Sequence, residues 1–321
     1  MVVVPPRDQL RALLVAVVWG LNFPATAIAL EHFPPLLMVA LRFTLVAVPA
    51  LLLVPRPQVP LRWLLGVGLG IGLLQFAFLY LGMAAGMPSG LASLVLQASA
   101  PFTVLIAGVW LRERITRRQA VGIAVAVLGL AVIAVHRAQV AALLPVVLTL
   151  CGALGWAFGN VCSRQARAPK PLHLTLWMSV VPPLPMLVLS LLVEGPDRVL
   201  TALRTAPTLD ALPSVLGLLY IVVVATLLGY GIWNALLSRH PAGVVAPFSM
   251  LVPVVGVLSS WLLLDERVDP TELVAGLVVV AGVLFASRPP SPAPAGPPAP
   301  QAPVLTTGAV GAGARRSGDG R

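Results

Sequence analysis

Apolar residues run through this chain in long stretches, broken by short segments that hold most of its charges, prolines and glycines. Each stretch covers about 18 to 25 residues, enough to cross a bilayer's hydrocarbon layer of ~30 Å at a rise of about 1.5 Å per residue. The pattern predicts an all-α membrane protein of ten transmembrane helices. The first five spans are 10 to 30, 36 to 54, 62 to 83, 89 to 111 and 119 to 136. The second five are 143 to 163, 173 to 193, 212 to 237, 243 to 264 and 271 to 287. Only the connection from Glu194 to Ala211 is long, and it reads as a surface excursion.

Polar residues interrupt these stretches at helical spacing. In lipid a polar group costs free energy unless it is paired or faces a cavity, so the faces that carry such groups point inward. Trp19, Asn22 and Thr26 share one face of the first helix. Ser89, Ser93, Gln97 and Pro101 form one stripe on the fourth, Trp156, Asn160 and Ser163 another on the sixth, and Thr226, Tyr230, Trp233 and Asn234 a third on the eighth. Proline adds to this polarity, because it donates no N–H and its ring displaces the carbonyl four residues earlier. Pro101, Pro247 and Pro253 are therefore expected to kink their helices and free the carbonyls of Gln97, Gly243 and Ser249. The stripes of the fourth and ninth helices, around Gln97 and around Ser249 and Pro253, are expected to form facing walls of one central cavity.

Arg42 stands apart within MVALRFTLV, about two turns into the second span. A cation there costs about 2.5 to 3.5 kcal/mol on insertion scales, and all eleven acidic residues lie in loops, helix ends or tails. Three readings are open: it snorkels to the interface, it is held by carbonyls, or it receives an anionic substrate group such as a carboxylate.

Composition agrees with the pattern. Hydrophobic residues make up 58% of the 321 and charged ones 10%, with mean hydropathy +0.96, where a soluble domain keeps roughly a quarter of its residues charged. The formal charge of +10 does not indicate a nucleic-acid partner. If the N-terminus is cytoplasmic, sixteen of the twenty-one Lys and Arg fall on that side, four on the other, and Arg42 within a span. That bias is the positive-inside rule, and it places both termini in the cytoplasm. The first apolar run is of full spanning length, so the first helix is expected to be retained. Cys151 and Cys162 lie roughly 16 Å apart along one helix and are read as packing residues. Residues 288–321, rich in Pro, Ala and Gly, are expected to form a disordered cytoplasmic tail. GVGLGIG at 66 to 72 and the pair Gly155 and Gly159 are read as close helix contacts.

The two halves repeat. PSG…LRER from Pro88 to Arg114 matches PAG…LDER from Pro241 to Arg267 at a constant spacing of 153 residues, which also pairs Tyr80 with Trp233 and Gly129 with Gly282. VVWGLNF resembles LGWAFGN at a smaller spacing, pairing Trp19 with Trp156. The chain thus divides into repeats over 10–136 and 143–287, each of five helices. An odd number of spans inverts the second repeat against the first, a plan that places a binding site at the interface near mid-membrane and moves it by alternating access.

No phosphate-binding loop, zinc-protease motif or cysteine metal pattern occurs, so an ATP motor or a metalloenzyme is unsupported. His32, His136, His173 and His240 all stand near helix ends. A membrane-embedded enzyme would cluster carboxylates or histidines at one depth, and a channel would show a polar ring; neither pattern is present. No cofactor or metal is expected. The partners expected are a small-molecule substrate and the lipid bilayer, with the oligomeric state left open, a homodimer included.

WGLNFPATAIAL, LRFTLVAVPALLLVPRPQVP, GMPSGLASLVLQASAPFTVL, ATLLGYGIWNALL and SMLVPVVGVLSSWLLLDERV carry a resemblance. Over about Val17 to Phe285 the chain resembles the EamA-type members of the drug/metabolite transporter superfamily, and among them the bacterial exporters of O-acetylserine and cysteine. The resemblance implies a secondary transporter that exports small amino-acid-like metabolites across a bacterial inner membrane. Export of another small metabolite or drug is the alternative. Candidate substrate-binding residues are Trp19, Asn22, Arg42, Ser93, Gln97, Trp156, Asn160, Tyr230, Trp233, Asn234 and Ser249, with Arg42 for a carboxylate and freed carbonyls or tryptophan faces for an ammonium.

Overall fold

The computed structural model describes residues 5–140, 142–240 and 245–287; the proposed tail lies outside the described residues. Eight helices among them are long and apolar enough to cross a membrane: α1 (Pro6–Leu30), α2 (Pro35–Leu53), α3 (Leu61–Ala84), α4 (Ser89–Trp110), α5 (Arg117–Val140), α6 (Leu144–Ala166), α7 (Pro171–Val193) and α9 (Leu212–Arg239). Two shorter apolar helices follow, α10 (Phe248–Leu264) and α11 (Pro270–Ser287). The ten correspond in order to the ten expected spans, and the start expected for the ninth, at 243, lies outside the described residues. Side chains such as Leu53, Val109 and Leu192 are strongly exposed, as an apolar outer surface facing lipid requires.

The long connection differs from expectation. Within it Pro196–Thr205 folds as a further helix, α8. Gly195 takes a positive φ of 89° to turn the chain, Pro196 opens the helix, Asp197 lies in its first turn and Arg204 in its last, each complementing the helix ends. Val199 and Ala202 are buried while Leu200 and Leu203 stay exposed. Ten residues of this amphipathic kind are too short to read as a span.

The repeat is visible in the backbone. α3 relaxes into a π-helical stretch over Gly68–Gln75, and α9 does so over Tyr220–Leu228, in register at the 153-residue spacing. α4 tightens into a 3-10 turn at Leu96–Ala98, ahead of Pro101, and the chain entering α10 does the same over Ala246–Leu251, ahead of Pro253. The missing proline N–H leaves the preceding carbonyls outside the α-helical ladder, and a tighter turn accommodates this. Pro247 falls within the second 3-10 turn, and its side chain lies outside the described residues. α4 and α10 are followed by left-handed residues at equivalent positions, Arg112 (φ 55°) and Asp265 (φ 51°).

Small residues let the helices approach. Gly70 faces the backbone of Gly159, Gly155 faces Leu74 and Gln75, and Gly66 abuts Cys162, so the glycine stripes are packing faces. α5 and α11 cross where Gly122 meets Gly282 and Gly129 meets Ala275. Cys151 and Cys162 are free thiols.

Candidate functional site

The inward faces of these helices enclose a cavity of about 390 Å³ between α1, α2, α3, α4, α6, α7, α9 and α10, a size suited to a small metabolite. Ten of the eleven candidate residues line it: Trp19, Asn22, Arg42, Ser93, Gln97, Trp156, Asn160, Tyr230, Trp233 and Ser249. Asn234 does not. Its Nδ2 donates to the carbonyl of Tyr230 at 2.8 Å, since one residue beyond Trp233 turns the side chain about 100° away from the cavity-facing side. Replacing Asn234 by Ala is therefore expected to leave transport within about twofold of the parent, while Trp233→Ala lowers it severalfold or more; substrate uptake by the two variants at matched protein density checks this.

Among the described residues Arg42 is the one charged side chain in the lining. It is 4% exposed, which excludes snorkelling, and side chains rather than carbonyls hold it. Nη1 donates to the Tyr80 hydroxyl at 2.6 Å and Nη2 to Thr226 Oγ1 at 3.2 Å. The guanidinium carbon lies 3.8 Å from the centroid of the Phe76 ring, a favourable cation–π geometry in a desolvated site. Thr226 donates in turn to the carbonyl of Ile221, five residues earlier, within the π stretch of α9. Both repeats thus supply a neutral contact to the cation.

Three tilted rings form a second feature. Trp19 lies 5.1 Å from Tyr230 and 5.2 Å from Trp233, centroid to centroid. Its indole N–H donates to the carbonyl of Ala225 at 2.9 Å. This hydrogen bond ties the aromatic group to the helix that holds Thr226. On α4, Ser93 donates to the carbonyl of Gly90 at 2.6 Å, with the carbonyl of Pro253 3.3 Å away. Asn160 Nδ2 donates weakly to Thr103 Oγ1 at 3.4 Å.

Other expected contributors lie elsewhere. Ser89 is fully buried outside the cavity lining, where its hydroxyl is 2.8 Å from Glu266 Oε2 and 2.7 Å from the Ser260 hydroxyl. Pro101, Pro253 and Thr226 are absent from the lining, and Thr226 meets the site through the hydrogen bond that it accepts from Arg42.

One end of the bundle is sealed by polar contacts that sequence reasoning missed. Glu266 also accepts from the backbone N–H of Gly90 at 3.3 Å, capping α4. Glu194 accepts from the N–H groups of Leu36 and Leu37 at 2.7 and 3.1 Å, capping the helix that carries Arg42. Arg137 and Glu272 pair at 3.5 Å with little exposure. Asp269, in the turn before α11, accepts from the Thr271 N–H at 2.7 Å, which holds its carboxyl below the usual carboxylate range. At the opposite end the cavity lining reaches Ser163 and Thr175, within about a turn of the ends of α6 and α7, and both are partly exposed. The cavity lining thus extends from buried Arg42 toward the end that carries most of the basic residues.

Two residues that were not expected contribute to the site, one in the cavity lining and one outside it behind Arg42. Gln75 is 5% exposed at the end of the α3 π stretch, and Tyr80 is fully buried behind Arg42. A lone glutamine in an apolar run has no periodic partner to mark it.

The EamA-like transporter family model matches residues 9–135 and 143–288. Among curated proteins, the chain is 46% identical over 283 residues to a probable amino-acid metabolite efflux pump of Salmonella typhimurium, covering 86% of this chain and 93% of that protein. It is 42% identical, with the same coverage, to an Escherichia coli protein of the same description. It is 27% identical over 288 residues to a probable terminal-alkyne amino-acid exporter of Streptantibioticus cattleyicolor, covering 86% and 91%. A solved crystal structure at 17% identity aligns with TM-score 0.56 over 87% of this chain and 95% of its own, a likeness of fold alone.

Proposed function

Because the chain belongs to the EamA-like transporter family, we propose that it is a secondary transporter, not an enzyme, that exports amino-acid-like metabolites such as O-acetylserine and cysteine by alternating access. The observation that carries this reading is Arg42: a buried cation in a metabolite-sized cavity that, among the described residues, is held by neutral groups and shares the lining with no carboxylate, histidine or cysteine. A buried cation without a counter-ion is costly, and a substrate carboxylate supplies the missing charge through charge-assisted hydrogen bonds. The Trp19, Tyr230 and Trp233 rings supply faces for an amino-acid-like body. The described names of the two relatives above 40% identity support the same substrate class.

We place the protein in a bacterial inner membrane with both termini cytoplasmic, following the charge bias. The partly exposed Ser163 and Thr175 of the lining then lie toward the cytoplasm, which supports reading this conformation as the one that loads substrate for export. The repeat supports the opposite conformation as well, because inverted halves exchange roles when they rock about a fixed site. Reconstituted protein is expected to show saturable counterflow of labelled O-acetylserine, competed by cysteine and not by simple amines. Counterflow absent from folded protein, or competed equally by amines without a carboxylate, overturns the substrate class.

A further inference from the structure

The cavity holds more unused hydrogen-bonding capacity than a carboxylate alone accounts for. Three buried polar atoms on its lining residues lack a hydrogen-bond partner among the described residues: Arg42 Nε, Asn22 Oδ1 and Gln75 Oε1. Buried polar atoms of native proteins are nearly all paired, so each such atom calls for an explanation. The first is a donor and suits a carboxylate. The other two are acceptors and cannot serve one; they suit a group rich in N–H donors.

Resting on the export of amino-acid-like molecules proposed above, we infer that Gln75 and Asn22 are the specificity-determining residues for the substrate's ammonium group. An ammonium presents three donors and no acceptor, which matches two amide oxygens. A carboxylate at either position would share the cavity with Arg42 and neutralise it. Amide oxygens accept from the ammonium and leave the cation free for the substrate carboxylate. The two residues come from different helices of the first repeat, Asn22 from α1 and Gln75 from the end of the α3 π stretch. The equivalent π stretch of α9 ends on Leu228, at the same 153-residue spacing. The amide is therefore a feature of one repeat, not of the fold's symmetry, and a π turn re-aims side chains at functional positions in helices.

The test compares O-acetylserine with 3-acetoxypropanoate, which keeps the ester and the carboxylate and lacks the amine, as competitors of labelled O-acetylserine counterflow. Wild-type protein is expected to favour the amine-bearing compound by about 10- to 100-fold. Gln75→Met and Asn22→Leu are each expected to reduce that preference to near unity, while 3-acetoxypropanoate competes within about threefold of its wild-type potency. That retained potency separates recognition from a packing role, which would weaken both compounds. Wild-type preference persisting in both variants overturns the inference, as does loss of both compounds in both variants; if one variant fails to fold, the other decides. A wild-type protein that distinguishes neither compound contradicts the substrate reading itself, whereas preference in the wild type that survives substitution contradicts only the role of the two amides.

Discussion

Arg42→Gln is expected to abolish transport while leaving the protein folded and membrane-inserted. The side chain gives up its charge but keeps a polar amide near the Tyr80 hydroxyl and Thr226 Oγ1, which lie 2.6 and 3.2 Å from the guanidinium nitrogens. Removing an unneutralised buried cation relieves a desolvation cost, so stability is expected to hold or rise. Substrate recognition has no such compensation. A charged hydrogen bond contributes about 1.5 to 3 kcal/mol, and its loss lowers substrate affinity by about 10- to 100-fold. Arg42→Lys separates charge from geometry. A lysine retains the charge but lacks the fork that spans Tyr80 and Thr226, so weak transport is expected to return. Counterflow and thermal unfolding measured on the same preparations check both halves of this expectation.

Gly122→Val is expected to have the largest effect on stability. A Cβ at Gly122 would stand 2.6 Å from the carbonyl oxygen of Gly282 and 2.8 Å from the backbone nitrogen of Ala286. Both obstacles are backbone, so neither can rotate away, and α5 and α11 must separate. Overpacking of this kind costs about 1 to 3 kcal/mol, and the unfolding midpoint is expected to fall by roughly 2 to 5 °C. Gly282→Val meets the backbone of Gly122 and Ala126 at 2.7 Å and should behave alike. Gly231→Ala provides the contrast. Beyond its chain neighbours and its own helix backbone, no atom of the described residues lies within 4 Å of its Cβ position, and an interior helical glycine is about 1 kcal/mol less favourable than alanine, so its midpoint should hold or rise. Thermal scans of the purified variants decide between crowded and open positions.

Much of the site was legible because membrane burial makes polarity informative. Trp19 and Asn22, Ser93 and Gln97, and Trp156 and Asn160 recur at helical spacing on otherwise apolar helices, and each pair lines the cavity. Spacing fixes a face only to within a turn, which is why Asn234 was assigned to the cavity and instead bonds its own helix. Tyr80 and Thr226 lie 38 and 184 residues from the Arg42 that they hold, and no local pattern encodes such a contact. Gln75 carries no periodic signal, and the π stretch that presents it is a departure from regular spacing. The sealing carboxylates were hidden for another reason. Glu194 and Glu266 sit in loops, where charge is expected, and their partners include backbone N–H groups that every sequence contains. The amphipathic α8 lacks the length that marks a span.

The role proposed for Arg42 is to bind the substrate's carboxylate inside this cavity. Trp19, Trp156 and Trp233 line it, so their fluorescence reports occupancy without a transport cycle. The decisive measurement is a titration of wild type and Arg42→Gln with O-acetylserine and with its carboxyl methyl ester. The wild type is expected to bind the free acid about tenfold or more tightly than the ester, and the variant to bind both weakly and alike. Equal binding of acid and ester by the wild type, or a preference for the acid that survives in Arg42→Gln, would contradict it.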